Sequence, residues 1–532
     1  MMALKPERHK IMRKQSTKII DLFNPRLEKA MGEWSKFLPE DRIVVGKDLA
    51  RYDNCTSQAK RKISAALYPV SQDEVSQIVE CANSYQISLY PISSGKNWGY
   101  GGGNPFSDHC VILDLSKMNR ILDFSEELGV ITIEPGVTQG QIASFLKENN
   151  YPYMLSTIVT GPNCSYLGNA LERGFGMIPP RERFLSMTSL KAIMPDGSLY
   201  QSLVSDAGGD LTDKVYKWGV GPYLDGLFSQ GSFGVVTQAS FTLARIPEEI
   251  TRFYFTPKSN VPVNDLIDRF RKAKQTLGEC LNTFEFGNRT QSIYENKNDH
   301  QDWMVYGAFH TTKRVSRAVK ADLKSILGDV FEDFVFLNET TLKKVKKFPY
   351  FYKRSKNWRY ILSNIDKVIA YHDLYKGVPN EMHLEYAFAG SLALDKKKPI
   401  EAQIKKAGYI SFRPVVPLVG RHFSEYLTLL KQLSSSEELD IRLNVSIPSE
   451  THIVATTDIF FDPLTQTDQA HNFHKTLFMA CKERGYLPSR MHIDSVEWYM
   501  NEQSHHYFDM LGKLKTAFDP NNIISPGRIP NS

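Results

Sequence analysis

The sequence has little that could hold it together by covalent or metal cross-links. Its cysteines are few and scattered: Cys55, Cys81, Cys110, Cys164, Cys280 and Cys481, with no CxxC pair. That spacing argues against a disulfide framework and a cysteine-built zinc site, and we expect no metal. No apolar run reaches the ~18 residues that suggest a membrane span. The basic start MMALKPERHKIMRK lacks the apolar core of a signal peptide behind it. The expectation is a soluble, cytoplasmic protein with no membrane role. Nor does one sign of charge dominate, because 65 Lys+Arg against 59 Asp+Glu leave a net +6 over 532 residues. The basic run Lys343, Lys344, Lys346, Lys347 reads as a solvated helix face, and no nucleic-acid-binding module accompanies it.

What is present is an ordinary globular composition, 42% hydrophobic and 11% aromatic, which excludes a disordered or fibrous chain. Single cores stop growing near ~250–300 residues, so the length predicts two to four structural units. Residues 1–60 are charged and mostly helical in pattern. Strand and helix signals then alternate. Ala65–Val70 reads as a strand, Ser71 as an N-cap, and Val75–Tyr85 as a helix burying Val75, Ile78, Val79 and Ala82. Strands at Ile87–Ile92, Val111–Leu115 and Val130–Glu134 and a helix at Thr138–Asn149 follow. Residues 184–245 read mainly as strands, and 248–480 as strands separated by long amphipathic helices. The alternation argues for an α+β or α/β fold.

The most informative stretch is Ser94-Gly95-Lys96-Asn97-Trp98-Gly99-Tyr100-Gly101-Gly102-Gly103, directly after a strand. Glycines let backbone N–H groups converge on a ligand, and such concavities bind phosphate. A P-loop fails here, because Gly95-Lys96 is followed by Asn97 and no glycine stands five before Gly95. The Rossmann spacing fails as well. A phosphate-cradling loop of another kind remains, and a flexible turn is the plainer alternative.

This loop, followed by Glu134-Pro135-Gly136-Val137, Ser165–Gly174, Gly221–Gln230, Gly234–Thr237 and Asp519–Arg528, resembles the vanillyl-alcohol oxidase and p-cresol methylhydroxylase family. The blocks run in the family's order over roughly 60–528. The resemblance implies two α+β subdomains clasping FAD (residues 1–247, with an arm at 1–60), a cap at 248–480 and a C-terminal segment, 481–532, that returns to the FAD domain. It implies that Ser94, Gly95, Lys96 and Asn97 meet the pyrophosphate, with Trp98, Gly99, Gly161, Asn163, Cys164 and Gly168 also in the cofactor site. Thr160 and Val236 would lie along the flavin, and Arg528 would support it. The implied activity is hydride transfer to FAD from a C–H beside oxygen or nitrogen, or from a benzylic carbon. A flavin-binding protein with a decayed catalytic set is the alternative. The partners implied are a small-molecule substrate, an electron acceptor, which could be a protein, and a second copy of the chain.

The resemblance is incomplete at the pocket. Tyr100 and Arg490 match a tyrosine and an arginine that stabilise a phenolate in the family, but the second tyrosine falls on Ser489. An aspartate near the flavin falls on Thr160, and another tyrosine on Met177; Ser411 is a further pocket residue. His383 falls where a glutamate contacts the active-site arginine, so His383 and His492 are the candidate bases. Val159 stands at the family's oxygen gate and leans toward an acceptor other than oxygen, with an oxidase the open alternative. Finally, Tyr409 stands five before Pro414 in the strand where the family attaches its flavin through a side chain, which implies a covalent 8α-O-tyrosyl link.

Overall fold

A computed structural model describes residues 24–292, 303–349, 355–392, 394–395, 397–500 and 506–529. The first 23 residues of the proposed N-terminal arm lie outside the described residues. The rest of the arm is less helical than its charge pattern predicts. After a helix at Pro25–Trp34, whose buried Trp34 packs on helix Gln72–Tyr85, the chain enters strand β1 (Ile43–Val44). β1 pairs with β2 (Ile63–Leu67), so the arm is sewn into the first sheet.

That sheet has the order β1-β2-β4-β3, with β3 at Leu89–Ile92 and β4 at Cys110–Asp114. β2 and β3 run parallel to β4 on either side. Helix Gln72–Tyr85 makes the crossover, capped by Ser71, and buries Val75, Ile78, Val79 and Ala82 as the spacing requires. A second, antiparallel sheet follows in the order β5-β6-β10-β8-β9. Its strands are β5 (Ile121–Ser125), β6 (Val130–Ile133), β8 (Met187–Ile193), β9 (Leu199–Gln201) and β10 (Val235–Thr242). The short β7 (Tyr153–Met154) and β11 (Ala244–Arg245) form a separate pair. Between β9 and β10 the chain is not strand, contrary to the sequence reading of 184–245. It forms turns and the short helices Leu203–Asp206 and Leu224–Phe228.

The third sheet dominates the second half of the chain. Its order is β15-β12-β14-β13-β18-β19-β16, with β17 (Val415–Pro417) also on β19. The ranges are β12 Glu249–Pro257, β13 Thr283–Ser292, β14 Trp303–Thr311, β15 Phe331–Leu337, β16 Gly408–Phe412, β18 Asp440–Ser446 and β19 His452–Phe461. Strand alternation gives it two unlike faces. Phe253, Phe255, Phe284, Phe286, Val305 and Phe309 point to one side and are buried under helices Val263–Leu277, Lys313–Leu327, Gly420–Ser434 and Thr467–Glu483. Between them Tyr254, Glu285 and Tyr306 put polar groups on the other face. The register aligns Tyr254 with Tyr306, Tyr306 with Glu285, and Glu285 with Ser446. It also aligns Asn444 with Thr456, Arg442 with Asp458, and Asp458 with Ser411.

The C-terminal segment returns to the first sheet. Leu89 N–H donates to the Ile523 carbonyl (2.6 Å), and Ser525 N–H donates to the Leu89 carbonyl (2.8 Å). A buried ion pair fixes this return. Lys515 Nζ donates to Asp519 Oδ2 (2.6 Å) and to the Ser232 and Ile524 carbonyls (2.7 and 2.9 Å). Asp519 in turn accepts the N–H groups of Ile523 and Ile524. Burial pulls the Lys515 amine below its usual range, and Asp519 opposes that shift. Removing one partner leaves the other charge buried and alone, so Asp519→Ala should destabilise the protein by about 3–5 kcal/mol. Denaturant unfolding checks this, with the double variant Lys515→Met/Asp519→Leu expected to lose much less.

Candidate active site

One large cavity lies between the glycine loop, the segments 158–177 and 228–236, and the polar face of the third sheet. Its glycine-loop wall is built to accept an anion. Gly95, Gly99, Gly101 and Gly102 all have positive φ. Among the described residues, the backbone N–H groups of Ser94, Gly95, Lys96, Asn97 and Trp98 donate to no protein acceptor. Free backbone donors at a tight glycine turn are what a pyrophosphate needs. Ser94 Oγ accepts the Ser165 N–H (3.1 Å), tying the loop to helix Tyr166–Leu171. A Cβ on Gly168 of that helix would stand 2.2 Å from Ser93 Oγ. Thr160 Oγ1, buried against the cavity, also lacks a partner. These residues fit FAD.

Cys164, Gly168, Val236 and Arg528 line the same cavity. Gly161 and Asn163 shape the turn behind it: the Gly161 carbonyl accepts Gln139 Nε2 (2.5 Å), and the Asn163 carbonyl accepts Lys96 Nζ (3.2 Å). Lys96 differs from the expectation of a free phosphate-binding ammonium. It is ion-paired to Glu401 of helix Ile400–Ile404, at 2.7 Å. Trp98 packs on the cluster of Phe388, Phe460 and Tyr409.

The reacting end is organised around β16. Tyr409, Ser411 and Arg413 alternate with the buried Ile410 and Phe412, so all three face the cavity. Tyr409 Oη donates to Asp458 Oδ1 (2.8 Å), and Ser411 Oγ donates to the same oxygen (2.8 Å). Tyr100 Oη donates to Ser411 Oγ (3.2 Å), completing a chain from the cavity to a buried carboxylate. Burial pushes the Asp458 carboxyl above its usual range, against the hydrogen bonds from Ser411 and Tyr409. Burial and the Asp458 charge together hold the Tyr409 phenol neutral, far above its usual range.

Arg490 lies over the Tyr100 ring, its Cζ 4.4 Å from the centroid, and donates through Nη2 to Asn97 Oδ1 (2.5 Å). It shares Glu172 with Arg528, which donates to Glu172 Oε1 at 2.7 Å; Arg490 Nη2 is 3.9 Å from Oε2. Burial disfavours the Glu172 charge, but Arg528 and Arg490 outweigh it and hold the carboxyl below its usual range. The Nε groups of Arg490 and Arg413 are buried without an acceptor.

The two candidate bases are placed unlike the sequence reading. His492 does not line the cavity. It is buried against the rings of His471 and His474, and its Nδ1 accepts the Asp494 N–H (3.1 Å). Burial, reinforced by His471 and Arg61, pulls it down to about 3. His383 does line the cavity, but its Nδ1 meets the Tyr371 hydroxyl rather than Arg490. Burial and the nearby Lys367 lower it to about 4, so it is neutral at physiological pH. Ser489 is also turned aside, its Oγ 3.4 Å from the Arg413 carbonyl, whereas Met177 lines the cavity. Sequence reasoning missed Asp458, Arg413 and Glu172. The alternation through Tyr409, Ser411 and Arg413 was a usable signal for the second. Asp458 becomes visible only once the β16–β19 register is known.

The fold and the donor set define a flavin-dependent oxidoreductase. The comparisons agree. A family described as "FAD binding domain" matches residues 63–202. A 1'-carboxy-chondrochloren decarboxylase of Chondromyces crocatus is 28% identical, over 94% of this chain and 97% of that protein. The flavoprotein subunit of 4-cresol dehydrogenase [hydroxylating] from Pseudomonas putida is 25% identical, over 94% and 95%. The structure of p-cresol methylhydroxylase with substrate bound superposes with a TM-score of 0.81 at 21% identity, covering 96% of this chain and 98% of that one. The chain is an FAD-dependent oxidoreductase, and over nearly its whole length it is similar to members of the vanillyl-alcohol oxidase and p-cresol methylhydroxylase family.

Gly99 provides a test of how the cavity is formed. A Cβ there would stand 2.7 Å from Tyr409 Cε1 and 2.9 Å from Ser411 Cβ. Gly99→Val should therefore lose most of its FAD, read as flavin absorbance near ~450 nm per chain. Gly208 has the same φ of +78° and nothing within 4 Å of its Cβ position. Gly208→Val should keep its flavin, which separates crowding at Tyr409 from backbone strain.

Proposed function

We propose that this enzyme oxidises a small anionic organic substrate by taking hydride from a carbon beside oxygen or nitrogen, or from a benzylic carbon. Bound FAD supplies the hydride acceptor. The observation that carries the reading is the pair of cavity-facing guanidiniums, Arg490 and Arg413, whose Nε donors are buried and unsatisfied. An unmet buried donor costs about 1–3 kcal/mol, and more for a charged group. A carboxylate or phenolate oxygen meets it, and the arginine fork matches either. One relative is named as a decarboxylase of a carboxy compound and another as a cresol dehydrogenase, so both names describe substrates with an acidic oxygen.

The chain Tyr100–Ser411–Asp458 gives the departing substrate proton a route. Tyr100 Oη passes its proton to Ser411 Oγ as it takes one from the substrate, and Ser411 passes its own to Asp458. Asp458 is raised toward neutrality by burial, which makes it a stronger base than an exposed carboxylate. This assigns to Asp458 the role that the sequence reading gave to histidine.

The same carboxylate supports a covalent link from Tyr409 Oη to the flavin 8α carbon. Asp458 Oδ1 is positioned to take the phenolic proton as the C–O bond forms; the 8α carbon would give up a proton, and the flavin ring would take the electron pair and pass it to the enzyme's electron acceptor. Acid precipitation should leave yellow colour in the pellet, while Tyr409→Phe should leave it in the supernatant. Asp458→Asn, which keeps the shape but not the base, should slow the attachment.

Arg490→Ala should lower kcat/KM by roughly 10²-fold or more, since its charge faces the reacting group. The measurement is anaerobic flavin bleaching with a panel of aryl and hydroxy acids. Equal bleaching of wild type and Arg490→Ala by the best acid would sink the anionic-substrate reading.

A further inference from the structure

The cavity runs on well past Tyr409 and Arg490. From β16 it crosses β19, β18, β13 and β14 to β12, and residues of each of these strands line it. At ~4.8 Å per strand this is about 24 Å across the sheet, more than a single ring can fill. At the far end β12 contributes Arg252 and Tyr254, and β14 contributes Tyr306. Helices Lys356–Ser363, Ile365–Tyr375 and Met382–Phe388 contribute Tyr360, Lys367, Tyr371, His383 and Tyr386.

The charges along this length are not evenly balanced. Lys96 is paired with Glu401, Arg181 with Glu285, Arg442 with Asp440, and Arg528 with Glu172. Arg252 and Lys367 have no carboxylate within ion-pair distance among the described residues. Arg252 is 3% exposed and donates through Nη1 to the Val368 carbonyl (2.6 Å), while its Nε has no acceptor. Its guanidinium sits 5.0 Å from the Tyr254 ring and 6.0 Å from the Tyr371 ring. Lys367 Nζ lies 2.8 Å above the centre of the Tyr386 ring. Burial, and then the charge of Arg252, pull the Lys367 amine down to about 7, and an incoming anion would favour its charged form and answer the buried Arg252 charge. Glu285, an acidic residue of the sheet that lines the cavity, is already engaged by Arg181 and Ser446.

We infer that the cavity carries a second, distal subsite, formed by Arg252, Lys367, Tyr254, Tyr306 and Tyr371, that binds an anionic group at the end of an aromatic tail on the substrate. This rests on the reading that Arg490 and Arg413 hold an anion at the reacting end. The substrate class is then an elongated aryl compound with acidic oxygens at both ends. The tyrosine rings take the flat tail by edge and face contacts, and the two cations take its terminal oxygens.

The test uses the FAD-loaded enzyme and two probes that share one aryl span, p-terphenyl-4-carboxylate and p-terphenyl-4,4''-dicarboxylate. Binding is read as perturbation of the flavin visible spectrum. The dicarboxylate should bind roughly 10-fold or more tightly than the monocarboxylate. Lys367→Met and Arg252→Gln should each cut that ratio toward one, with little change for the monocarboxylate. Arg490→Ala should weaken both probes alike. Equal affinities of the wild type for the two probes would overturn the distal subsite, even with Arg490 still required. Indifference of both probes to Arg490→Ala would instead overturn the anion-binding reading on which it rests. Lys367 is only partly buried, so its variant keeps the test alive if Arg252→Gln does not fold.

Discussion

The outer edge of strand β16 is the constraint on which the site depends. It is the last strand of the third sheet, and an edge strand leaves unpaired backbone groups. Here the FAD domain pairs them. Tyr409 N–H donates to the Thr56 carbonyl (2.7 Å), and Ser411 N–H donates to the Gly99 carbonyl (3.1 Å). Thr56 Oγ1 donates back to the Tyr409 carbonyl (3.0 Å) and accepts the Gly99 N–H (3.0 Å). Further along, Ser489 N–H donates to the Arg413 carbonyl (3.0 Å). These bonds fix the register of the cap against the glycine loop. A slip of one residue would turn Ile410 and Phe412 into the cavity and bury Tyr409, Ser411 and Arg413 in an apolar core. Gly99 is small because two backbones meet there, and its role in the cofactor site follows from that contact.

From this seam the electrostatics divide into two kinds. On the cofactor side, Glu172 is held ionised between Arg528 and Arg490, so the cluster keeps one surplus positive charge facing the cavity. On the cap side, Asp458 is the carboxylate that Tyr409 and Ser411 both address, and burial makes it hold its proton more tightly than a surface aspartate. The site thus places a group that attracts anions beside a group that accepts protons. Both needs arise when a hydride leaves a carbon whose neighbouring oxygen or nitrogen must also lose a proton.

Much of the FAD-binding half was legible in the sequence because its signals are local. Strand β3, the glycine turn, the Ser71 cap and the buried stripe of helix Gln72–Tyr85 each lie within a few residues of one another. The cap was legible as alternating strands, but its cavity face was not. Asp458 reaches Tyr409 only through pairing with a strand 49 positions away in sequence. Arg252 and Lys367 meet the same cavity from different elements. The error over His492 has the same origin. Two residues beyond Arg490 looked close enough to share a site. The chain turns there, so Ile493 N–H bonds to the Tyr100 carbonyl (3.1 Å) and the His492 ring is carried against the rings of His471 and His474.

The departures from the family pattern now have one physical reading. A site for a single phenol needs donors clustered tightly around one oxygen. In this chain Ser489 turns onto backbone, and Met177 puts a flexible, apolar side chain on the cavity wall. Beside it, Arg181 and Glu285 neutralise each other across the sheet face, with side chains 10% and 6% exposed. That leaves a central stretch with no net charge, bounded at one end by Arg490 and Arg413 and at the other by Arg252 and Lys367. A neutral passage between two cationic ends discourages a compact ion from resting midway and favours a ligand whose charges are separated by a flat, uncharged span. On the proposed reading, the tyrosines missing from the family pattern and the unpaired Arg252 and Lys367 belong together, as a site that recognises the length between two oxygens rather than one.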